Sequence, residues 1–201
     1  MRQNLLLIKG YGPPHADRFQ HHEEKIAKSA GLHVFYPQDV PDFVDGARPT
    51  VEVFCEFFRK LIQEAGLEPD RTIVLAHSLG GNGWLRILEM QKEMRECLTV
   101  LIGTPFKNKT GLDEIADFFP NPKLNLTREQ RRNILVVGSD NDRVIHERPS
   151  VLARRLQVEH VAVPGAGHFM PAALHQKRDE MDLGKEWSNV RGSIGRRFLP
   201  Y

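Results

Sequence analysis

The sequence predicts an α/β protein, with one parallel sheet of about six strands and helices on both faces. Three observations carry that reading. Short, continuous apolar runs of the kind buried on two faces recur along the chain, helix-length segments with helical hydrophobic spacing alternate with them, and glycine or proline turns separate the two. The order implies right-handed crossovers. A length of 201 residues suits a single domain with a substantial core.

Leu5 to Lys9 is an apolar run ending in Gly10-Tyr11-Gly12-Pro13-Pro14, a buried strand entering a tight loop. Asp17 to Ala30 suits a helix stopped at Gly31, and His33 to Tyr36 a short strand halted by Pro37. After a loop from Pro41 to Pro49, Val51, Phe54, Phe58, Leu61 and Ile62 recur at helical spacing, and Gly66 to Asp70 ends that helix. Thr72 to His77 reads as a strand. Gly83 to Met94 reads as the helix behind it, with Trp84, Leu85 and Leu88 on its apolar side, and Leu98 to Ile102 as the next strand.

Gly103 to Arg132 breaks the rhythm, and connections of this length more often carry function or a lid than mere linkage. Within it, Ile115, Phe118 and Phe119 are spaced as packing residues that seal a core edge, in preference to covering a substrate entrance. Ile134 to Gly138 returns to strand, Ser150 to Leu156 to helix, and Glu159 to Val163 forms the last strand. The domain is therefore placed at residues 1–175. Residues 176–201 are polar and basic and are expected to form a partly ordered tail, anchored by Leu183 and Trp187 and frayed from Gly192 to Arg197.

Composition narrows the function. With 28 Lys+Arg against 26 Asp+Glu, the formal charge of +2 predicts no capture of nucleic acid or of an anionic membrane. Cys55 and Cys97 show neither metal-ligand spacing nor a disulfide framework, which suits a reducing compartment. The run Leu5 to Ile8 is shorter than a signal-peptide core or a membrane span, so a cytoplasmic protein is expected. His21-His22-Glu23-Glu24 begins like a zinc helix, but Ile26 occupies the position of the second histidine, and a solvated helix face is expected there in place of a metal site. The Gly10–Gly12 turn lacks the lysine and spacing of a phosphate loop. No cofactor is expected.

The chemistry gathers at Val74-Leu75-Ala76-His77-Ser78-Leu79-Gly80-Gly81, where a β-branched strand runs through a serine between small residues into a helix. This is the sequence form of a nucleophile elbow, with Ala76 and Gly80 small enough for strand and helix to cross closely. Ser78 is the candidate nucleophile. Ser139-Asp140-Asn141-Asp142-Arg143-Val144-Ile145 follows a later strand, and Pro164-Gly165-Ala166-Gly167-His168-Phe169 follows the last. The order is serine, acid, histidine, each beyond its own strand, as in α/β-hydrolases. His168 is the candidate base, and His77 is expected only to support packing or hydrogen bonding. Asp142 is preferred as the acid because it leads into an apolar segment, with Asp140 stabilising the loop. An oxyanion needs preorganised donors. The Leu79 N–H at the helix start is one candidate and the Tyr11 N–H in the first glycine loop the other, with Gly12 as its fallback.

The A-H-S-L-G-G, G-S-D-N-D-R-V-I and G-A-G-H-F segments together resemble the small single-domain α/β-hydrolases of the retinoblastoma-binding-protein type, over nearly all of Leu5 to Pro171. Phe118-Phe119-Pro120 is similar to that family as well. The resemblance implies an α/β-hydrolase fold with six parallel strands and little or no cap, and a triad of Ser78, Asp142 and His168. It also implies hydrolysis of small ester or peptide-like acyl substrates. An L-x-C-x-E segment is absent around both cysteines, so the retinoblastoma protein is not expected as a partner. The expected function is a serine hydrolase, carboxylesterase-like, cleaving a small ester, thioester or amide through an acyl-enzyme on Ser78. The alternative is a binding or scaffold protein that keeps the fold without turnover.

Overall fold

The computed structural model describes residues 2–12, 19–44, 46–109, 111–169 and 183–201, the side chains of 183–186 excepted. Asp17 and Pro13-Pro14, used above as helix start and loop signals, and Pro171, where the resemblance ends, lie outside the described residues. Six strands, β1 (Asn4–Ile8), β2 (His33–Phe35), β3 (Thr72–His77), β4 (Leu98–Ile102), β5 (Ile134–Ser139) and β6 (Glu159–Val163), form one sheet in the order β2-β1-β3-β4-β5-β6. Every pairing is parallel, with registers such as Leu5↔Ile73, Leu75↔Val100 and Val137↔Val161. The carboxyl ends of all six strands therefore share one edge, where the loops after β1, β3, β5 and β6 meet.

Strand alternation divides the apolar side chains between two cores. Leu6, Ile8, Val74, Ala76, Leu101 and Val136 face α2 (Val51–Glu64), α3 (Leu79–Met90) and α5 (Pro149–Leu156). Leu5, Leu7, Ile73, Leu75, Val100 and Val137 face α1 (Phe19–Ser29) and α6 (Leu183–Ile194). Thr50 caps α2, its Oγ1 accepting from the Val53 N–H at 3.2 Å, and Phe54, Phe58 and Ile62 bury one stripe of the helix. Phe54 packs beside Phe43, Phe58 and Phe118, with ring centroids 4.6–5.7 Å away.

The helix after β3 departs from the sequence expectation at both ends. α3 begins at Leu79, not Gly83, and ends at Met90. Its glycines oppose helix by propensity, but close approach requires them: a Cβ on Gly80 would lie 2.2 Å from the Lys9 carbonyl oxygen, and one on Gly81 2.0 Å from Thr104 Oγ1. At the other end Gln91 leaves helical geometry (φ −114°, ψ 87°), and the Arg95 guanidinium donates to the Leu88 carbonyl at 2.7 Å. The connection from Gly103 to Arg132 carries a 3₁₀ turn over Asp113–Phe118 and a short helix, α4 (Arg128–Arg132), started by a Thr127–Gln130 capping box. Ile115 and Phe118 are buried in the first core, the sealing role their spacing predicts.

The carboxyl-terminal segment corrects a second expectation. Gly192 is helical within α6 and Ile194 is buried, so the anticipated fraying from Gly192 to Arg197 does not extend through this stretch. Trp187, Val190 and Ile194, at a helical spacing hidden within a polar composition, fill the second core together with Phe198 and Leu199 beyond the helix. Trp187 stacks on Phe19 with centroids 4.3 Å apart and donates from its indole N–H to Glu23 at 2.6 Å. Arg191 and the Tyr201 hydroxyl bind the same carboxylate. Glu23 is thus fully buried, not part of a solvated helix face, because three donors satisfy it. No helix among the described residues is long and apolar enough to cross a membrane.

Candidate active site

β3 ends at His77 and α3 begins at Leu79, leaving Ser78 as the entire turn between them. Its backbone, at φ 52° and ψ −128°, is a conformation that L residues rarely adopt. Hydrogen bonds hold it there: the Ser78 N–H donates to the Ile102 carbonyl at 2.8 Å, and the Ser78 carbonyl accepts from the Gly81 N–H at 2.9 Å. The loop after β1 approaches so closely that a Cβ on Gly10 would stand 2.9 Å from Ser78 Cβ.

Asp142 and His168 meet Ser78 from the ends of β5 and β6. The buried Asp142 carboxylate accepts at Oδ1 from the Val144 and Ile145 N–H groups, at 2.8 and 3.1 Å, and lies through Oδ2 2.7 Å from His168 Nδ1. An ionised carboxylate only accepts, so His168 carries its proton on Nδ1. The other ring nitrogen, Nε2, is then an acceptor, 2.9 Å from Ser78 Oγ. At that distance the Ser78 hydroxyl can donate its proton to Nε2. Asp140 takes no part in this chain and accepts instead from the Gly165 N–H at 2.8 Å, the loop-stabilising place the sequence suggests for it.

His77 is buried, its ring edge-on to Phe19 at 5.4 Å, and its Nε2–H donates to the His168 carbonyl at 2.8 Å. It braces the histidine loop from beneath, in the supporting role anticipated for it. The Leu79 N–H opens α3, where backbone amides have no intrahelical partner. Tyr11 follows β1 at the same sheet edge, between Gly10 and Gly12, with its hydroxyl tied to the Ala47 carbonyl at 2.9 Å.

Three residues at this edge were not found from sequence. Asn141 accepts the Gly167 N–H at 2.7 Å, a contact between two loops that no local pattern reveals. Gly103, at φ 53°, lies flat against the imidazole, where a Cβ would approach His168 Cε1 to 3.4 Å. The largely buried Glu147 side chain accepts from the Phe106 and Lys107 N–H groups at 2.8 and 3.3 Å and pins the loop after β4.

Competing chemistry is weak. Burial pushes the Cys55 thiol up to about 11 and the Cys97 thiol up to about 12, so neither is a thiolate near neutral pH. A groove of about 500 Å³ between α2 and α3, lined by Val53, Phe57, Ile87 and Met90, includes none of Ser78, Asp142 and His168. No group of His, Cys, Asp and Glu able to hold a metal ion occurs among the described residues.

Comparison with known proteins agrees with this architecture. A family model described as serine hydrolase matches residues 5–183. Among solved structures, the ydeN gene product of B. subtilis superposes with a TM-score of 0.68 at 17% identity, covering 96% of this chain and 98% of that one. A carboxylesterase of Nitrososphaera gargenis gives 0.67 at 11% identity, covering 99% and 90%. The 2-hydroxy-6-oxo-6-phenylhexa-2,4-dienoate hydrolase of Rhodococcus sp. RHA1 gives 0.67 at 15%, covering 100% and 91%. At these identities the likeness establishes the α/β-hydrolase fold. No curated protein shows significant sequence similarity to the chain.

Proposed function

The chain belongs to the serine hydrolase family, and on that premise we propose that it cleaves small acyl substrates, esters first among them, through an acyl-enzyme on Ser78. The observation that carries the reading is the unbroken chain of hydrogen bonds Ser78 Oγ, His168 Nε2, His168 Nδ1, Asp142 Oδ2 at 2.9 and 2.7 Å. Ser78 Oγ attacks the carbonyl carbon while His168 Nε2 takes its proton. Asp142 holds the imidazole in that tautomer and stabilises the imidazolium. The negative charge on the carbonyl oxygen is met by the Leu79 and Tyr11 N–H groups. His168 returns the proton to the leaving alkoxide, thiolate or amine as the tetrahedral intermediate collapses. Water then gives a proton to His168 as it attacks the acyl-Ser78, and His168 passes that proton to Ser78 Oγ as the ester bond breaks and the acid product leaves.

A short acyl chain is favoured because the described residues between β4 and β5 seal the first core with Ile115 and Phe118. The carboxylesterase of N. gargenis, similar in fold, is consistent with ester cleavage. The reading is tested with a fluorophosphonate probe and p-nitrophenyl acetate on wild type, Ser78→Ala and His168→Ala. Wild type should label and turn over, and both variants should fall to background while remaining folded. Folded wild type that neither labels nor turns over would sink the reading and leave a non-catalytic binder.

A further inference from the structure

We propose that Asn141 and Asp140 are positioning residues for His168, gripping the backbone of the histidine loop so that its imidazole is held between Ser78 and Asp142. The proposal rests on the acyl-transfer reading of Ser78. Three consecutive side chains after β5 each supply one acceptor to a different point of the loop after β6. Asp140 Oδ1 takes the Gly165 N–H at 2.8 Å, Asn141 Oδ1 the Gly167 N–H at 2.7 Å, and Asp142 Oδ2 the His168 Nδ1–H at 2.7 Å. Only the last contact touches the reacting chain. The other two fix the backbone immediately before it.

That backbone needs holding. Gly165 and Gly167 have φ of 71° and 56°. Glycine reaches such values without strain but also leaves them without resistance, because it has no side chain to pack. His77 secures the loop from the sheet side by donating to the His168 carbonyl, and the two acceptors secure it from the solvent side. Asn141 is itself oriented. Ser139 Oγ lies 2.7 Å from Asn141 Oδ1 and 3.0 Å from the Val163 carbonyl, and its single proton serves one of them at a time. With the Gly167 N–H also a donor, the amide oxygen and not the amide nitrogen must face the loop. The site therefore requires an acceptor at position 141, which aspartate preserves and leucine of similar size removes.

The test uses the full chain with Asn141→Leu and Asn141→Asp. The readouts are kcat and KM on p-nitrophenyl acetate, the thermal midpoint, and the downfield proton resonance of the His168 Nδ1–H. Displacing a catalytic group by about 1 Å costs on the order of 10²-fold, so Asn141→Leu should lower kcat by about tenfold to a hundredfold. KM should stay within about twofold, since substrate binding is not altered. The resonance should broaden or vanish in Asn141→Leu and persist in Asn141→Asp, which should keep most of the wild-type kcat. Wild-type kcat and resonance in Asn141→Leu would overturn the proposal, as would equal losses in both variants. If Asn141→Leu fails to fold, Asp140→Ala against Asp140→Asn decides by the same criteria. An inactive wild type would overturn the acyl-transfer reading alone, because the resonance still reports whether the acceptors hold His168.

Discussion

Asp142 divides its two oxygens between different partners, and that division should make it irreplaceable by its own amide. Oδ1 is committed to the Val144 and Ile145 N–H groups, so in Asp142→Asn the carbonyl oxygen takes that position and the NH₂ turns toward His168. His168 Nδ1 must then accept, and the imidazole proton moves to Nε2, facing Ser78 Oγ with a donor in place of a base. kcat should fall by about 10⁴-fold with the fold intact, measured by steady-state ester hydrolysis beside a thermal melt. That Ser78, Asp142 and His168 meet was legible because each follows a strand and each has small or turn-forming neighbours. Asn141 was not, since its contact is with the backbone of a residue 26 positions away and leaves no periodic or motif trace.

At the scale of elements, α3 shows propensity and packing pulling in opposite directions. Replacing a helical glycine by alanine ordinarily gains about 0.8–1 kcal/mol. At Gly80 the added methyl would lie 2.2 Å from the Lys9 carbonyl oxygen and 2.9 Å from Ile8 Cγ2, with backbone as the main obstacle, so β1 or α3 must move. Overpacking of that kind costs about 1–3 kcal/mol, and the steric term should win. Gly80→Ala should therefore lower the urea midpoint, and a raised midpoint would show that the strand yields easily. The same conflict explains why the start of α3 was misplaced from sequence: three glycines within its first five residues argue against helix until the crossing with β1 is known. α6 was hidden for the converse reason, because composition masks its spacing of apolar residues. The strands were legible almost to the residue, as β3, β4 and β6 begin and end where the sequence places them.

For the whole molecule, the two cores make stability sensitive to alkali. Burial raises the Cys97 thiol from an ordinary value of 9.0 to about 12 and the Cys55 thiol from 9.0 to about 11, and burial beside Glu23 also raises the Tyr201 hydroxyl. In each case the fold favours the neutral form. Their contribution is fully present below the unfolded values and is lost as pH rises through the folded ones. Urea midpoints should hold steady to about pH 9 and decline between about 9 and 12, more gently in a Cys55→Ala, Cys97→Ala variant. An unchanged slope in that variant would show that the thiols are not responsible. The cores also divide the chain's two tryptophans. Trp84, donating to Thr99 Oγ1, is inside one, and Trp187, against the Glu23 carboxylate, is inside the other. The intrinsic fluorescence of the protein is therefore a sum of two reporters, one for each side of the sheet. One indole sits beside a neutral hydroxyl and the other beside a carboxylate, so the two should emit differently.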